Sequence, residues 1–348
     1  MIFASDHFAA GVPAHPQVDA GPSGMDTPHM PKSQLSAPAA KAPTAIGGGA
    51  TIVDLRFQGH ASIIGVCVLE LEGGIALVDP GPEARLGELT EGLARIGRTL
   101  EDVRAVLLTH IHLDHATAAG AIAARSPGAR VYVHGVGAPH MADPTRLLAS
   151  AERIYGDRMA TLWGRFVPVP AEQLRIVDDD DVVELGGRSL EVAYLPGHAS
   201  HHVAYYEGAT GTAWVGDVGG IRIGGGPPLP VTPPPDIDVE LWRDSIARVM
   251  AWSPDRIVPT HFGVYTDRAS HFGELEEALL DWSEWVRGSL ADANGKSDRE
   301  LRGDFARWVE DGLSERLSSE LTERYATASG FPDSWSGLAR YWRKRGKG

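Results

Sequence analysis

The chain has 348 residues, an apolar fraction of 43% and a formal net charge of -14. That length allows one large domain with a smaller addition, and the apolar share is enough for a real core. The acidic balance argues against a surface built to hold phosphate backbones, which needs clustered Lys and Arg; no Lys occurs between Lys41 and Lys296.

The basic end Arg340 to Arg345 reads as a solvated tail. No stretch approaches the roughly 20 apolar residues that a membrane span needs, and Met1 to Asp6 lacks a basic leader followed by an apolar core. Cys67 is the single cysteine and lies in the apolar run Ile63 to Leu71, so it reads as a small core residue in a reducing compartment. The expectation is a soluble, cytoplasmic protein.

Residues 1–50 are rich in Ala, Pro, Gly and Ser without periodicity, the composition of a disordered leader. From Thr51 short β-like runs begin: Thr51 to Phe57, Ile63 to Leu71 and Ile75 to Val78, punctuated by Gly59 and Gly73-Gly74. Leu86, Leu89, Leu93 and Ile96 then recur at helical spacing, and Val103 to Leu108 reads as a fully buried strand. Ala116 to Ala124 is helix-prone, Arg130 to Val133 returns as a strand, and Pro139 to Trp163 is mostly helical. Further strands are expected at Leu174 to Val177, Ser189 to Leu195, His202 to Tyr206 and Thr212 to Val215, followed by a helix from Val239 to Trp252 and a last strand at Arg256 to Val258. Two strand-rich halves, each with helices, predict sheets packed on each other with helices outside. After Thr266 the pattern is helical, with Phe272, Leu275, Leu279, Trp282 and Trp285 in one apolar stripe and Phe305, Trp308, Val309 and Leu313 in another.

The run Thr109-His110-Ile111-His112-Leu113-Asp114-His115 follows the buried strand directly. Crowding three imidazoles and a carboxylate at a strand end is costly unless a ligand neutralises them, so the run reads as a metal site. Residues two apart in an extended loop point the same way: His110 and His112 share one ion, while Asp114 and His115 turn toward a second. Further ligands must come from distant sequence. His198, Asp217 and His261 each follow an apolar strand and qualify.

Together these residues resemble the metallo-β-lactamase-fold metallohydrolase superfamily over about residues 51–265, in its glyoxalase-II-like binuclear branch. The matching text is Asp79-Pro80-Gly81, the His110 to His115 motif, Pro196-Gly197-His198, Gly216-Asp217 and His261 with Gly263. The resemblance implies an αββα four-layer sandwich of the α/β class over residues 51–266, here with a C-terminal helical extension over 267–348. It implies that His110, His112 and His198 hold one metal, that Asp114, His115 and His261 hold the other, and that Asp217 bridges them. Asp79 then orients the ligand loop without binding metal, although a turn residue before Pro80-Gly81 is the plain alternative. His202 stands where the family often has a second histidine and supports the ligands. His201 stands where the family often has Gly, so it could face the pocket, with a surface histidine as its default reading.

Two divalent ions, zinc with iron or manganese as the other candidates, lower the pKa of a shared water to give a metal-bridged hydroxide near neutral pH. Asp114 is the group that orients it and takes its proton. Tyr265 could donate to the developing oxyanion, as a Tyr does in some lactonases of the superfamily, or be a buried structural residue. The expected reaction is hydrolysis of a small ester, thioester or lactone. A mononuclear iron sulfur dioxygenase of the same fold is the alternative, and a non-catalytic metal store the third reading. A β-lactamase is disfavoured by His115 and Asp217, and glutathione recognition by Gly219-Gly220-Ile221-Arg222-Ile223-Gly224, which has no Lys nearby. The expected partner is a small-molecule substrate, with neither nucleic acid nor membrane; a homodimer is an admissible assembly. The loop Gly224 to Pro235 is expected to border the site, and Pro139 to Trp163 to cover it.

Overall fold

A computed structural model describes residues 42–346. Seven strands form the first sheet in sequence order: β1 (Thr44–Gly47), β2 (Ala50–Asp54), β3 (Gly65–Leu71), β4 (Gly74–Val78), β5 (Val103–Leu107), β6 (Arg130–His134) and β7 (Leu174–Val177). β1 to β4 are antiparallel neighbours, and β4 to β7 run parallel. The second sheet has the order β12-β11-β10-β9-β8, built from β8 (Val182–Leu185), β9 (Arg188–Tyr194), β10 (Val203–Glu207), β11 (Thr212–Trp214) and β12 (Arg256–Val258).

Apolar side chains alternate between two buried faces. Cys67, Leu69, Ala76, Val78 and Leu107 of the first sheet meet Leu190, Val192, Val203, Tyr205 and Trp214 of the second. Their neighbours Val66, Val68, Ile75, Leu77 and Val106, and Ala193, Ala204 and Ala213, face outward into a second core. Strands buried on both faces read as unbroken apolar runs, which is why the sequence shows runs here and not alternation. Helices cover the outer faces, completing a four-layer αββα sandwich: α1 (Leu86–Arg95), α2 (Leu113–Ala116), α3 (Ala118–Arg125), α4 (Ala138–Ala142), α5 (Thr145–Tyr155) and α6 (Met159–Trp163) accompany the first sheet, and α7 (Val239–Ala251) the second.

Three expectations shift. The leader expected over residues 1–50 falls outside the described residues up to 41, but Thr44–Gly47 is an edge strand. Its own side chains are largely exposed, and it is held by partners remote in sequence: Arg256 donates to the Ile46 carbonyl, and Arg188 to the carbonyls of Gly48 and Gly49. Local hydrophobicity could not reveal it. Leu174–Val177 belongs to the first sheet, paired in parallel with β6, and the acidic turn Asp178 to Asp181 carries the chain across to the second. The helical stretch from Pro139 to Trp163 is three helices, broken at Asp143-Pro144 and at Gly156.

The C-terminal third forms α8 (Arg268–Ala291), α9 (Asp298–Ser314), α10 (Ser319–Ser329) and α11 (Phe331–Arg345). Trp282 anchors them, its ring 5.2 Å from Phe305 and 5.8 Å from Phe331 in edge-to-face contacts. These helices grip the loop after Asp217. The Tyr325 hydroxyl accepts from the Ile223 amide at 3.0 Å and donates to the Pro227 carbonyl at 2.7 Å, and the Thr232 hydroxyl donates to the Ser334 carbonyl at 3.1 Å. All described residues fall in one compact unit, so the architectural change near residue 266 is not a gap between separate bodies. Among the described residues no helix is long and apolar enough to cross a membrane.

Candidate metal centre

The candidate ligands gather where the parallel pairs β4-β5 and β11-β12 finish together, most of them just past strand ends of the two sheets, with Asp114 and His115 in the short helix α2 that follows β5. Val78 pairs with Leu107, so Asp79 lies beside the start of the His110 loop. There its carboxylate accepts four hydrogen bonds: from the Thr109 amide at 2.8 Å, the Thr109 hydroxyl at 2.7 Å, the Thr260 hydroxyl at 2.7 Å and His115 Nδ1 at 2.9 Å. It holds the loop and sets the tautomer of one imidazole. Gly197 turns the chain into His198 with φ +129°, and a Cβ there would lie 2.3 Å from the Trp242 amide nitrogen, so only glycine fits against α7. Gly216 is equally constrained: at φ +47° its Cβ would lie 2.5 Å from Thr109 Oγ1.

Four imidazoles spend Nδ1 on a fixed partner and direct Nε2 inward. His110 Nδ1 bonds Thr109 Oγ1 at 3.1 Å, His115 Nδ1 bonds Asp79, His198 Nδ1 donates to the Val231 carbonyl at 2.8 Å, and His261 Nδ1 to the Ile63 carbonyl at 2.8 Å. His112 differs, presenting Nδ1 at 2.9 Å from His198 Nε2. The Asp217 carboxylate lies between two groups. Oδ2 is 3.4 Å from His198 Nε2 and 4.0 Å from His110 Nε2, while Oδ1 is 3.2 Å from His115 Nε2 and 3.6 Å from His261 Nε2. Asp114 Oδ2 closes the second group, 3.3 Å from His261 Nε2 and 3.7 Å from His115 Nε2.

All seven sequence-predicted ligands therefore meet, in overlapping sets whose ligand atoms lie within 4.8 Å of one another: His110, His112 and His198; His110, His115 and Asp217; Asp114, His115 and His261. The donor set fits divalent cations. Nε2 of His110, His115 and His261 and Oδ1 of Asp217 are buried with no hydrogen-bond partner; orphaned buried polar atoms cost about 1–3 kcal/mol each, and four of them converging is what coordination resolves. Imidazole nitrogen mixed with carboxylate suits zinc, and iron or manganese as well.

The electrostatics agree with this arrangement. Burial pushes His110 well down, helped by the neighbouring imidazoles, and pushes His112 down to about 3, so both are neutral bases, the form that can ligate a metal. Burial also lowers His198, His201 and His202. At His115 and His261 burial acts the same way, but the carboxylates of Asp217 and Asp114 outweigh it and raise both. Asp114 and Asp217 are pushed up by burial, yet the adjacent imidazoles of His115 and His261 hold both below the usual carboxylate range.

His202 supports the centre, its Nε2 accepting from the amides of Asp217 at 3.2 Å and Val218 at 3.4 Å and so fixing the turn that presents the Asp217 carboxylate. Tyr265 departs from its expected catalytic place. Its hydroxyl lies 2.5 Å from the Arg222 carbonyl and 2.6 Å from the Phe262 carbonyl, and Arg222 covers its ring with the guanidinium 4.5 Å from the centroid. A phenol spent on backbone carbonyls cannot also donate to an oxyanion, so Tyr265 is the structural residue that locks the chain after His261.

Two residues not singled out from the sequence, Thr109 and Thr260, contribute to the centre. Thr109 and Thr260 both bond Asp79, and the signal was present as a Thr-His pair repeated at the ends of β5 and β12. His201, for which a place facing the pocket stood beside the default surface reading, is buried and lines the cleft into which the centre opens. The centre opens into a cleft of about 620 Å³. Asp114, Asp217 and His261 lie among its lining, with Phe57, Ile63, Tyr155 and Trp163, and with Val231, Pro233 and the Ser329-Gly330 corner of the C-terminal helices.

Comparison with known proteins agrees with the geometry. The family model described as the metallo-beta-lactamase superfamily matches residues 57–261. A hydroxyacylglutathione hydrolase of Aeromonas hydrophila is 29% identical over 141 residues, covering 40% of this chain and 41% of that protein. A metallo-beta-lactamase fold-containing protein of Sulfurisphaera tokodaii is 25% identical over 172 residues, 49% of this chain and 64% of that protein. The chain thus spans less than two thirds of the length of these relatives. Among solved structures, a metallo-beta-lactamase family protein from Thermus thermophilus superposes with a TM-score of 0.62 at 21% identity, covering 87% of this chain and 95% of that one. The archaeal superfamily protein from Sulfolobus tokodaii gives 0.57 at 19% identity, covering 83% and 98%.

Proposed function

The chain belongs to the metallo-beta-lactamase superfamily, and from that premise we propose that it is a binuclear, zinc-dependent hydrolase of a small ester, thioester or lactone. The observation that carries this reading is the Asp217 carboxylate, with one oxygen turned to His198 and His110 and the other to His115 and His261. Two divalent ions held there supply an activated water near neutral pH and a Lewis acid for a carbonyl oxygen. The remaining work falls to the protein. Asp114 lines the cleft and keeps 23% of its side chain exposed, so it is the ligand placed to orient the attacking water and receive its proton. Asp79 and His202 fix the orientation of His115 and Asp217 and so limit reorganisation during turnover.

The apolar residues among the cleft's walls, Phe57, Ile63, Leu147, Ile154 and Trp163, suit a compact acyl group, and the net charge of -14 disfavours a polyanionic nucleic acid. The relatives named hydroxyacylglutathione hydrolase support a thioester among the candidate substrates. Glutathione itself is disfavoured, because the loop after Asp217 is occupied by Tyr325 and its neighbours and offers no Lys. A single iron at His110, His112 and His198, as a sulfur dioxygenase would use, leaves Nε2 of His115 and His261 buried without a partner. Metal quantification coupled to a lactone, thioester and phosphodiester panel tests the reading. Two zinc per chain with lactone or thioester turnover is expected; one iron with persulfide-dependent oxygen uptake would replace the hydrolase by the dioxygenase.

A further inference from the structure

His201 lies three residues past His198 and immediately before His202, in the turn that leads from β9 into β10. Only 8% of it is exposed, yet it lines the cleft. Two contacts fix its ring. Nδ1 accepts the Ile111 amide of the ligand loop at 3.4 Å, and the ring stands edge-on to His112 with centroids 5.5 Å apart. It also lies parallel to His110, interplanar angle 10°, at 6.1 Å. A neutral imidazole that accepts at Nδ1 carries its proton on Nε2. No described residue takes that proton, and the adjacent Ser200 hydroxyl is already committed to Asp236 at 2.6 Å.

An ester, thioester or lactone brings oxygen acceptors to a site and no donor of its own. The carboxylates at the cleft floor, Asp114 and Asp217, are acceptors too. A nearly buried N–H lining the same cleft, held by the ligand loop and left without a protein partner among the described residues, is the complementary group. We propose that His201 is a substrate-contacting residue whose neutral Nε2–H donates a hydrogen bond to the acyl oxygen of the substrate, and of the product acid, aligning the scissile bond above the metal centre. This inference rests on the hydrolase reading for its substrate class. The geometry of His201 does not depend on it.

The test compares the wild type with His201→Phe, which keeps a flat ring but removes both nitrogens, and His201→Gln, which restores an N–H donor. Three quantities are measured on the full chain: zinc per chain, kcat and KM on p-nitrophenyl butyrate and a butyryl thioester, and the Kd of butyrate by calorimetry. The Phe variant should keep the wild-type zinc content, lose about tenfold or more in kcat/KM, and bind butyrate about tenfold more weakly, the size of one lost hydrogen bond in a partly desolvated site. The Gln variant should recover most of both losses. Unchanged turnover and butyrate affinity in the Phe variant would overturn the proposal, as would an equal loss of zinc in both variants, which marks a purely structural role. If the wild type turns over neither substrate, the hydrolase reading fails, and the butyrate affinities still decide for or against His201.

Discussion

The floor of the cleft is carried largely by strand ends of both sheets: all its histidines but the half-buried His112 are almost wholly buried, and most imidazoles are fixed through a second hydrogen bond to Asp79, Val231, Ile63 or Thr109. The walls are carried by α4 to α6 and by the corner between α10 and α11, with apolar side chains that are in part exposed, such as Ile154 at 38%, interspersed with charged ones such as Arg146, Arg158 and Glu323. The difference teaches a division of labour. Rigid strand ends hold charged atoms to the tolerance that coordination demands, while helices and loops around them change shape at little cost to the metal centre.

The largest expected effect attacks the floor at its centre. Asp217→Ala removes the carboxylate shared by both ligand groups, and zinc per chain should fall from two toward one with turnover reduced on the order of 10²–10³-fold or more; full turnover with one zinc would break the two-ion floor. Asp79→Asn keeps the shape but weakens the acceptor for Thr109, Thr260 and His115, with an expected loss of about 10–100-fold in metal affinity, read by competition with a chromophoric chelator.

Acid and base titrate the metal-free floor from both sides. His110, His112, His198, His201 and His202 are held neutral by burial, so the stability they contribute is present above the ordinary histidine value of about 6.5 and is lost as pH falls, for His112 toward about 3. His115 and His261 are raised, so their contribution is present below about 6.5 and is lost as pH rises through their folded values. The Tm of chelator-treated protein should therefore peak near pH 6.5, about the unperturbed histidine value. Zinc bound as proposed would displace the protons of His115 and His261 and move the peak upward; a peak indifferent to zinc would remove these histidines from the proposed ligand set.

The wall should respond differently. Trp335 is buried in the C-terminal helices, its Nε1 donating to the Ser289 hydroxyl at 3.1 Å. Trp335→Ala should cost about 3–5 kcal/mol of stability in denaturant unfolding and raise KM, while the native protein still binds two zinc. Loss of zinc in step with Trp335 would show that floor and wall are one unit. The smallest effect is expected at Tyr265→Phe: about 1 kcal/mol of stability, from the lost hydroxyl contacts with the carbonyls of Arg222 and Phe262, and an unchanged kcat.

Much of the floor was legible because its chemistry is written in contiguous text. His110, His112, Asp114 and His115 sit within six residues, and His198, Asp217 and His261 each close an apolar run, so residue type and strand-end position marked them before any coordinates. The strands themselves were legible because burial on both faces leaves unbroken apolar runs. What tertiary structure alone decided is where side chains with two readings point. Tyr265 and His201 are each compatible with a pocket or a packed place by composition; folding turned the Tyr265 hydroxyl onto backbone carbonyls and the His201 ring toward the cleft. It likewise assigned Leu174–Val177 to the first sheet, made a strand of Thr44–Gly47 through Arg256 and Arg188, and brought the Ser329-Gly330 corner over the cleft. Each of these depends on contacts between residues far apart in sequence, which local periodicity and residue type do not encode. Metal ligands escape that limit, because the cost of burying unpaired charge restricts which residues can stand at a strand end at all.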